Sequence, residues 1–194
     1  MLASITPLGE RGRHSRWWLT VSAFVLGATA AGAGAGAALG TLGSLALSGV
    51  PANTRLALLG AALMVAIVMD SAPRGVPGPR RQVDERWLDQ YRGWVYGAGY
   101  GSQLGLAVTT VVSSAATYVA VLASVLVGHP ARGAIVLGCY GAVRGLTPLA
   151  AAGVRTPHGL LALHRALTRW RAHARWGGVA AQAGLVLAVV LAVA

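Results

Sequence analysis

Arg144 is the one charge that falls inside an apolar run, with at least ten uncharged residues on each side before Arg132 and Arg155. An arginine at membrane depth costs at least about 3 kcal/mol on insertion scales, so its guanidinium must face protein or water and find a partner. Two roles follow from that chemistry. It attracts an anion or holds a carboxylate along a solute path, or it pins helices together by bonding hydroxyls, backbone carbonyls or another subunit. Ahead of it, Gln103, Thr110, Ser113, Ser114, Thr117 and Ser124 fall on one side of a helix at about 100° per residue. Hydroxyls in lipid need a partner or a wet cavity, and often bond their own helix backbone. Arg144, Gln103, Thr110, Ser113, Ser114 and Thr117 are the candidates for a transport path.

Other chemistry is poorly supplied. Hydrolysis needs a nucleophile with a base, or paired carboxylates. Asp70 is the only acid beside an apolar run, and it stands alone in the sequence. The five histidines lie in loops or interfacial segments without metal-binding spacing. The single cysteine, Cys139, allows no internal disulfide or CxxC pair. It reads as a small hydrophobe, with pairing to a partner's thiol as the lesser alternative. No enzyme, cofactor or metal site is expected.

The elements that must hold these residues are membrane helices. Of 194 residues, 55% are hydrophobic and 11% charged, against about 25% charged in soluble domains. All 16 basic residues are arginine. They sit in blocks between apolar runs, a pattern of membrane topology rather than of nucleic-acid binding. The expected fold is an all-α integral membrane protein with a cytoplasmic tail over 1–16. One transmembrane domain then covers 17–194, with five helices near 17–47, 53–69, 94–127, 133–154 and 176–194. The first run begins like a secretory signal but continues far beyond one, so an uncleaved helix is expected. Loops 70–93 and 155–175 each hold five arginines, and residues 1–16 hold three. They therefore belong in the cytoplasm of a bacterial inner membrane, with the C-terminus outside.

The third run, 94–127, has 34 residues without a charge. As a straight helix it would reach roughly 50 Å, against a hydrocarbon core of roughly 30 Å. A single crossing, tilted or broken near Thr109–Ser114, is expected. Glycines recur every fourth residue, as Gly32, Gly36 and Gly40 in the first helix and Gly97, Gly101 and Gly105 in the third. Gly141 and Gly145 flank Arg144. These are packing stripes that let helices approach closely. Two amphipathic segments, 82–93 and 155–175, are expected to lie on the membrane surface. Arg165, Arg169, Arg171 and Arg175 of the second have no acid within the segment, so anionic lipid headgroups are their expected partner, with an acidic subunit as the alternative. Gly49-Val50-Pro51-Ala52 and Gly128-His129-Pro130-Ala131 each follow a long glycine-striped helix. That echo suggests a duplicated helical hairpin.

The stretch QVDERWLDQYRGWVYGAGYGSQLGLAVTTVVSSAATYVAVLASVLVGHPARGAIVLGCYGAVRGL resembles the second half of small bacterial proteins of the CcdA/DsbD transmembrane superfamily, near the TauE-type exporters. The likeness lies in the glycine-rich helix start, the polar break and the Arg-Gly helix that follows, over about one third of the chain. The resemblance implies six helices in an inverted repeat and a pair of membrane cysteines passing reducing equivalents. This chain has five apolar runs, and Thr109, Thr110, Ser113 and Ser114 where that family places a cysteine. The resemblance therefore carries a shape, broken helices around a central site, and not the dithiol chemistry. Together these readings point to a transporter or permease of a small solute. The alternative is a non-catalytic subunit docked into a larger membrane complex, and a redox-associated protein using Cys139 comes last. Homo-oligomers or other membrane subunits are the expected protein partners.

Overall fold

In the computed structural model, residues 5–72, 76–78, 86–107 and 112–193 are described. They are helical, with no strand among them: α1 (Pro7–Gly12), α2 (Trp17–Ala46), α3 (Ala52–Ser71), α4 (Trp87–Gln90), α5 (Gly93–Gly105), α6 (Ala116–Leu126), α7 (Pro130–Gly145), a 3₁₀ turn (Thr147–Ala151) and α8 (Pro157–Val193). Four of the helical stretches, 17–46, 52–71, 130–151 and 157–193, are long and apolar enough to cross a membrane. The chain is an all-α membrane protein.

The bundle is built on α2. A glycine inside a helix costs about 0.5–1 kcal/mol relative to alanine, and here it admits a second backbone. α7 runs antiparallel to α2: Gly141 lies against Ala28, Leu137 against Gly32, Gly133 against Gly36 and His129 against Gly40. α5 runs parallel to it, with Gly97 against Thr20, Gly101 against Phe24 and Gly105 against Ala28. A methyl group at Gly32, Gly36, Gly40, Gly101, Gly105 or Gly141 would overlap a carbonyl oxygen of the facing helix. Without a hydrophobic drive between helices in lipid, such close packing and weak Cα–H···O contacts supply the association.

The third apolar run is two helices. α5 stops at Gly105, α6 starts at Ala116, and Val125 of α6 faces Gly43 of α2. Positions 97, 105 and 125 thus meet 20, 28 and 43 in rising order, so the two half-helices follow one another in a single passage. The 34-residue run cannot stay one helix because Ala107 takes the left-handed backbone (φ 63°) that ends helices. α3 packs on α6 and antiparallel on α8, with Gly60 beside Val189. The two hairpins therefore differ: α7 lies along α2 and α6, whereas α3 leaves α2 for α8.

Four expectations need correction. Residues 155–175 are not a separate surface segment, because α8 runs unbroken from Pro157 to Val193. Pro157 sits where it starts a helix, and no later proline ends it. Within 82–93 the described helix is only Trp87–Gln90, and Trp87 stacks on Tyr100 (5.9 Å, 16°) rather than presenting a membrane-facing stripe; residues 82–85 lie outside the described residues. The fourth helix ends at Gly145 instead of 154, since Pro148 falls in the 3₁₀ turn. Of the expected tail over 1–16, the described residues from 5 onward fold onto the bundle. Thr6 caps α1 (Gly9 N–H to Thr6 Oγ1, 3.0 Å), Leu8 N–H donates to Val154 O (3.2 Å), and Ile5, Thr6 and Glu10 are buried.

The two short turns meet at one end of the bundle. Arg55 donates Nε–H to Val50 O (3.0 Å) and an Nη2–H to Leu47 O, and it lies beside Gly128, whose φ is 56°. The side chain closes the C-terminal end of α2, and α3 begins inside the turn at Ala52. The arginine-rich ends of α1, α2 and α5 gather at the other end.

Candidate functional site

The break between α5 and α6 carries a charge at each edge. Gly141 and Gly145 hold α7 against Ala28 and Val25 of α2, which places Arg144 at the end of α5. Its Nη1 donates to Leu104 O (3.4 Å) and Ala107 O (3.3 Å). These carbonyls belong to the C-terminal end of α5, where the helix dipole is negative and a cation is favoured. The guanidinium also lies 5.5 Å from the centroid of the Tyr140 ring, one turn earlier on α7. Tyr140 Oη and Thr117 Oγ1 share a hydrogen bond of 2.5 Å, which ties α7 to the start of α6.

The opposite edge is held by Asp70. Its Oδ1 accepts from Ala115 N–H (2.8 Å), and its Oδ2 accepts from Ser114 Oγ (2.7 Å) and Gln182 Nε2 (2.7 Å). Ser114 Oγ in turn accepts from Ala116 N–H (3.2 Å). A carboxylate at the positive N-terminal end of α6 has the favourable sign. The two half-helix ends are therefore closed by opposite charges from two other helices, Arg144 from α7 and Asp70 from α3. Asp70 is not alone, as the sequence suggested. Its amide partner Gln182 is buried on α8, and Gln182 Oε1 has no hydrogen-bond partner among the described residues.

The other candidates divide. Ser114 and Thr117 join this network, and Gln103 is half-buried two residues before α5 ends. Ser113 is exposed, Ser124 donates to Ala120 O of its own helix (2.9 Å), and Thr110 lies outside the described residues. The single polar stripe expected at helical spacing does not form, because the break resets the helix phase between Gln103 and Thr117. Arg165, Arg169 and Arg171 are exposed along α8, and Arg175 donates to Ser71 O (2.6 Å). Cys139 is exposed beside a shallow apolar hollow of about 340 Å³ lined by Thr29, Ala33 and Ile135.

A second polar cluster went unread in the sequence. Glu10 of α1 is 1% exposed, and it accepts from Arg13 Nη2 (2.9 Å), Thr20 Oγ1 (2.8 Å) and Tyr96 Oη. Burial alone would lower the Arg13 pKa, but its bonds to Glu10 and Tyr96 carry it above the ordinary arginine value, so Arg13 stays charged. Two signals in the sequence point to such partners. Thr6-Pro7 is a helix start that ends the idea of a free tail. Gln182 is the only amide in the last apolar run, and a lone amide in lipid implies a bond to another helix.

Comparison with protein-family models, curated proteins and solved structures finds no match to this chain.

Proposed function

We propose that the protein is a permease for a small, anionic solute, with its path at the break between α5 and α6. One observation carries this reading. Arg144 commits Nη1 to two long bonds, and its Nε and Nη2 have no protein acceptor among the described residues. A guanidinium at membrane depth with uncommitted donors is matched to an anion or a carboxylate. Half-helices whose ends flank such a charge are a recurrent way to build a solute site within a membrane. The bacterial inner-membrane placement, with the N-terminus cytoplasmic, rests on the positive-inside rule. The likeness to the CcdA/DsbD superfamily is proposed as one of shape alone.

The test is reconstitution into liposomes with small anions offered outside. Arg144→Ala is expected to abolish flux while the protein still accumulates and stays folded, and Arg144→Lys to retain part of it. Unchanged flux in folded Arg144→Ala ends the permease reading. Loss of the folded protein in both variants assigns Arg144 to structure.

A second reading, a subunit of a larger membrane complex, is favoured by α8. Its stretch from Leu161 to Gly178 has almost no buried residue and carries Arg165, Arg169 and Arg171. A stoichiometric partner retained in mild detergent and lost in Arg165→Glu/Arg169→Glu would favour it over the self-contained permease.

A further inference from the structure

At the arginine-rich end, α1, α2, α4 and α5 surround a cleft of about 790 Å³. One wall is the α1–α2 link, Arg13 to Arg16, turned by the left-handed backbone of His14 (φ 55°). The other wall is Gln90 to Trp94, the link between α4 and α5. Thr20 and Gly93 meet at its floor, where a methyl group on Gly93 would come within 2.5 Å of Thr20 Oγ1.

Among the described residues the charge of this cleft is one-sided, with no acid in its lining. The nearest buried acid, Glu10, lies behind Arg13 and is bonded to Arg13, Thr20 and Tyr96. Arg16 and Arg92 are exposed, and neither makes a side-chain hydrogen bond or ion pair among the described residues. Both are N-caps without a side-chain cap bond, Arg16 of α2 and Arg92 of α5. Two helix N-termini, each worth roughly +0.5 charge, thus open beside two uncommitted guanidiniums. Guanidinium forks match phosphate oxygens in pairs. Leu19 and Leu88 give the cleft an apolar side. Exposed Tyr91 and Trp94 line it, residue types that favour the headgroup level of a membrane.

The geometry points to a binding site for a phosphate-bearing anion between Arg16 and Arg92, supplied either by an anionic phospholipid headgroup or by a soluble phosphate. The site is independent of the solute path at the α5–α6 break.

The experiment titrates the purified protein in a neutral detergent with dihexanoyl-phosphatidylglycerol, with dihexanoyl-phosphatidylcholine and with inorganic phosphate. Binding is read as slowed amide exchange over 13–19 and 91–95. Phosphatidylglycerol binding that resists inorganic phosphate assigns the lipid source, and binding of inorganic phosphate that the lipid does not improve assigns the soluble one. In Arg16→Gln/Arg92→Gln, affinity is expected to fall about tenfold to a hundredfold. Arg132→Gln, in the first turn of α7, is expected to leave it unchanged. Wild-type exchange that responds to neither anion overturns the site whatever the variants do. So does wild-type affinity in the folded double variant, or phosphatidylcholine binding equal to phosphatidylglycerol. If the glutamine pair does not fold, Arg16→Lys/Arg92→Lys keeps the charge and is expected to bind several-fold more weakly, through loss of the paired geometry.

Discussion

The α2–α5–α7 core and the α3–α8 pair solve the same problem in lipid by different means. In the core, helices meet backbone to backbone, and a single added methyl at Gly36 or Gly101 would overlap a carbonyl. In the pair, Gly60 has only Val189 at an ordinary 3.4 Å, and α3 buries just Leu63 and Ala66. What joins α3 to α8 is polar: Asp70 with Gln182, and Ser71 O with Arg175. The core should therefore be sensitive to volume, and the pair to loss of hydrogen-bonding groups.

The strongest way to break that contrast is Gly36→Leu against Gly60→Leu. The first is expected to prevent α7 from docking on α2, seen as loss of folded protein, and the second to be tolerated. The milder Gly36→Ala is expected to cost about 1–3 kcal/mol, and Gly60→Ala to stay within about 0.5 kcal/mol, read from melting in detergent. Equal losses at the two sites would remove the distinction. Glu10→Ala comes next. It strands the buried hydroxyls of Thr20 and Tyr96, at a cost of about 3 kcal/mol. Amide exchange should rise over residues 5–12 while α3 and α8 are unchanged. That result would sharpen the contrast by showing that the core also has one polar anchor, at the end where α1 closes on it.

Asp70→Ala tests the other side. Loss of the Asp70–Gln182 and Asp70–Ala115 bonds is expected to weaken α3–α8 docking by about 2 kcal/mol, roughly thirtyfold in the docking equilibrium. In a Cys139→Ala background, a disulfide between Gly60→Cys and Val189→Cys should form in Asp70 protein and fall sharply in the variant. An unchanged yield would show that lipid-facing side chains, and not these bonds, hold the pair.

The two regions were also unequally legible in the sequence. Spacing of four marks a close-packed face directly, so Gly32, Gly36 and Gly40, and Gly97, Gly101 and Gly105, carry the core packing on their face. The length of the third run and its Thr/Ser cluster locate the break for the same reason: a helix too long for the bilayer must tilt or stop. Polar partnerships leave no such period. Asp70, Ser114 and Gln182 are separated by 44 and 68 positions, and nothing local pairs them. Arg144 was legible as a cation inside an apolar run, but its carbonyl partners exist only because α5 ends where it does. Glu10 was hidden by its setting among Arg11, Arg13 and Arg16, a block that reads as an exposed charge run until α1 folds back onto α2 and α5.

The last expected effect has the opposite sign from the largest. Gly177 lies in the exposed half of α8 with nothing within 4 Å of an added methyl. Gly177→Ala should therefore act through helix propensity alone and stabilise the protein by roughly 0.5–1 kcal/mol, where the same change at Gly36 destabilises it. Melting of the two variants side by side checks the sign. A destabilised Gly177→Ala would mean that this stretch of α8 already lies against another molecule in the purified protein. The free half of α8 would then be a docked surface, and the complex-subunit reading would gain the contact it lacks.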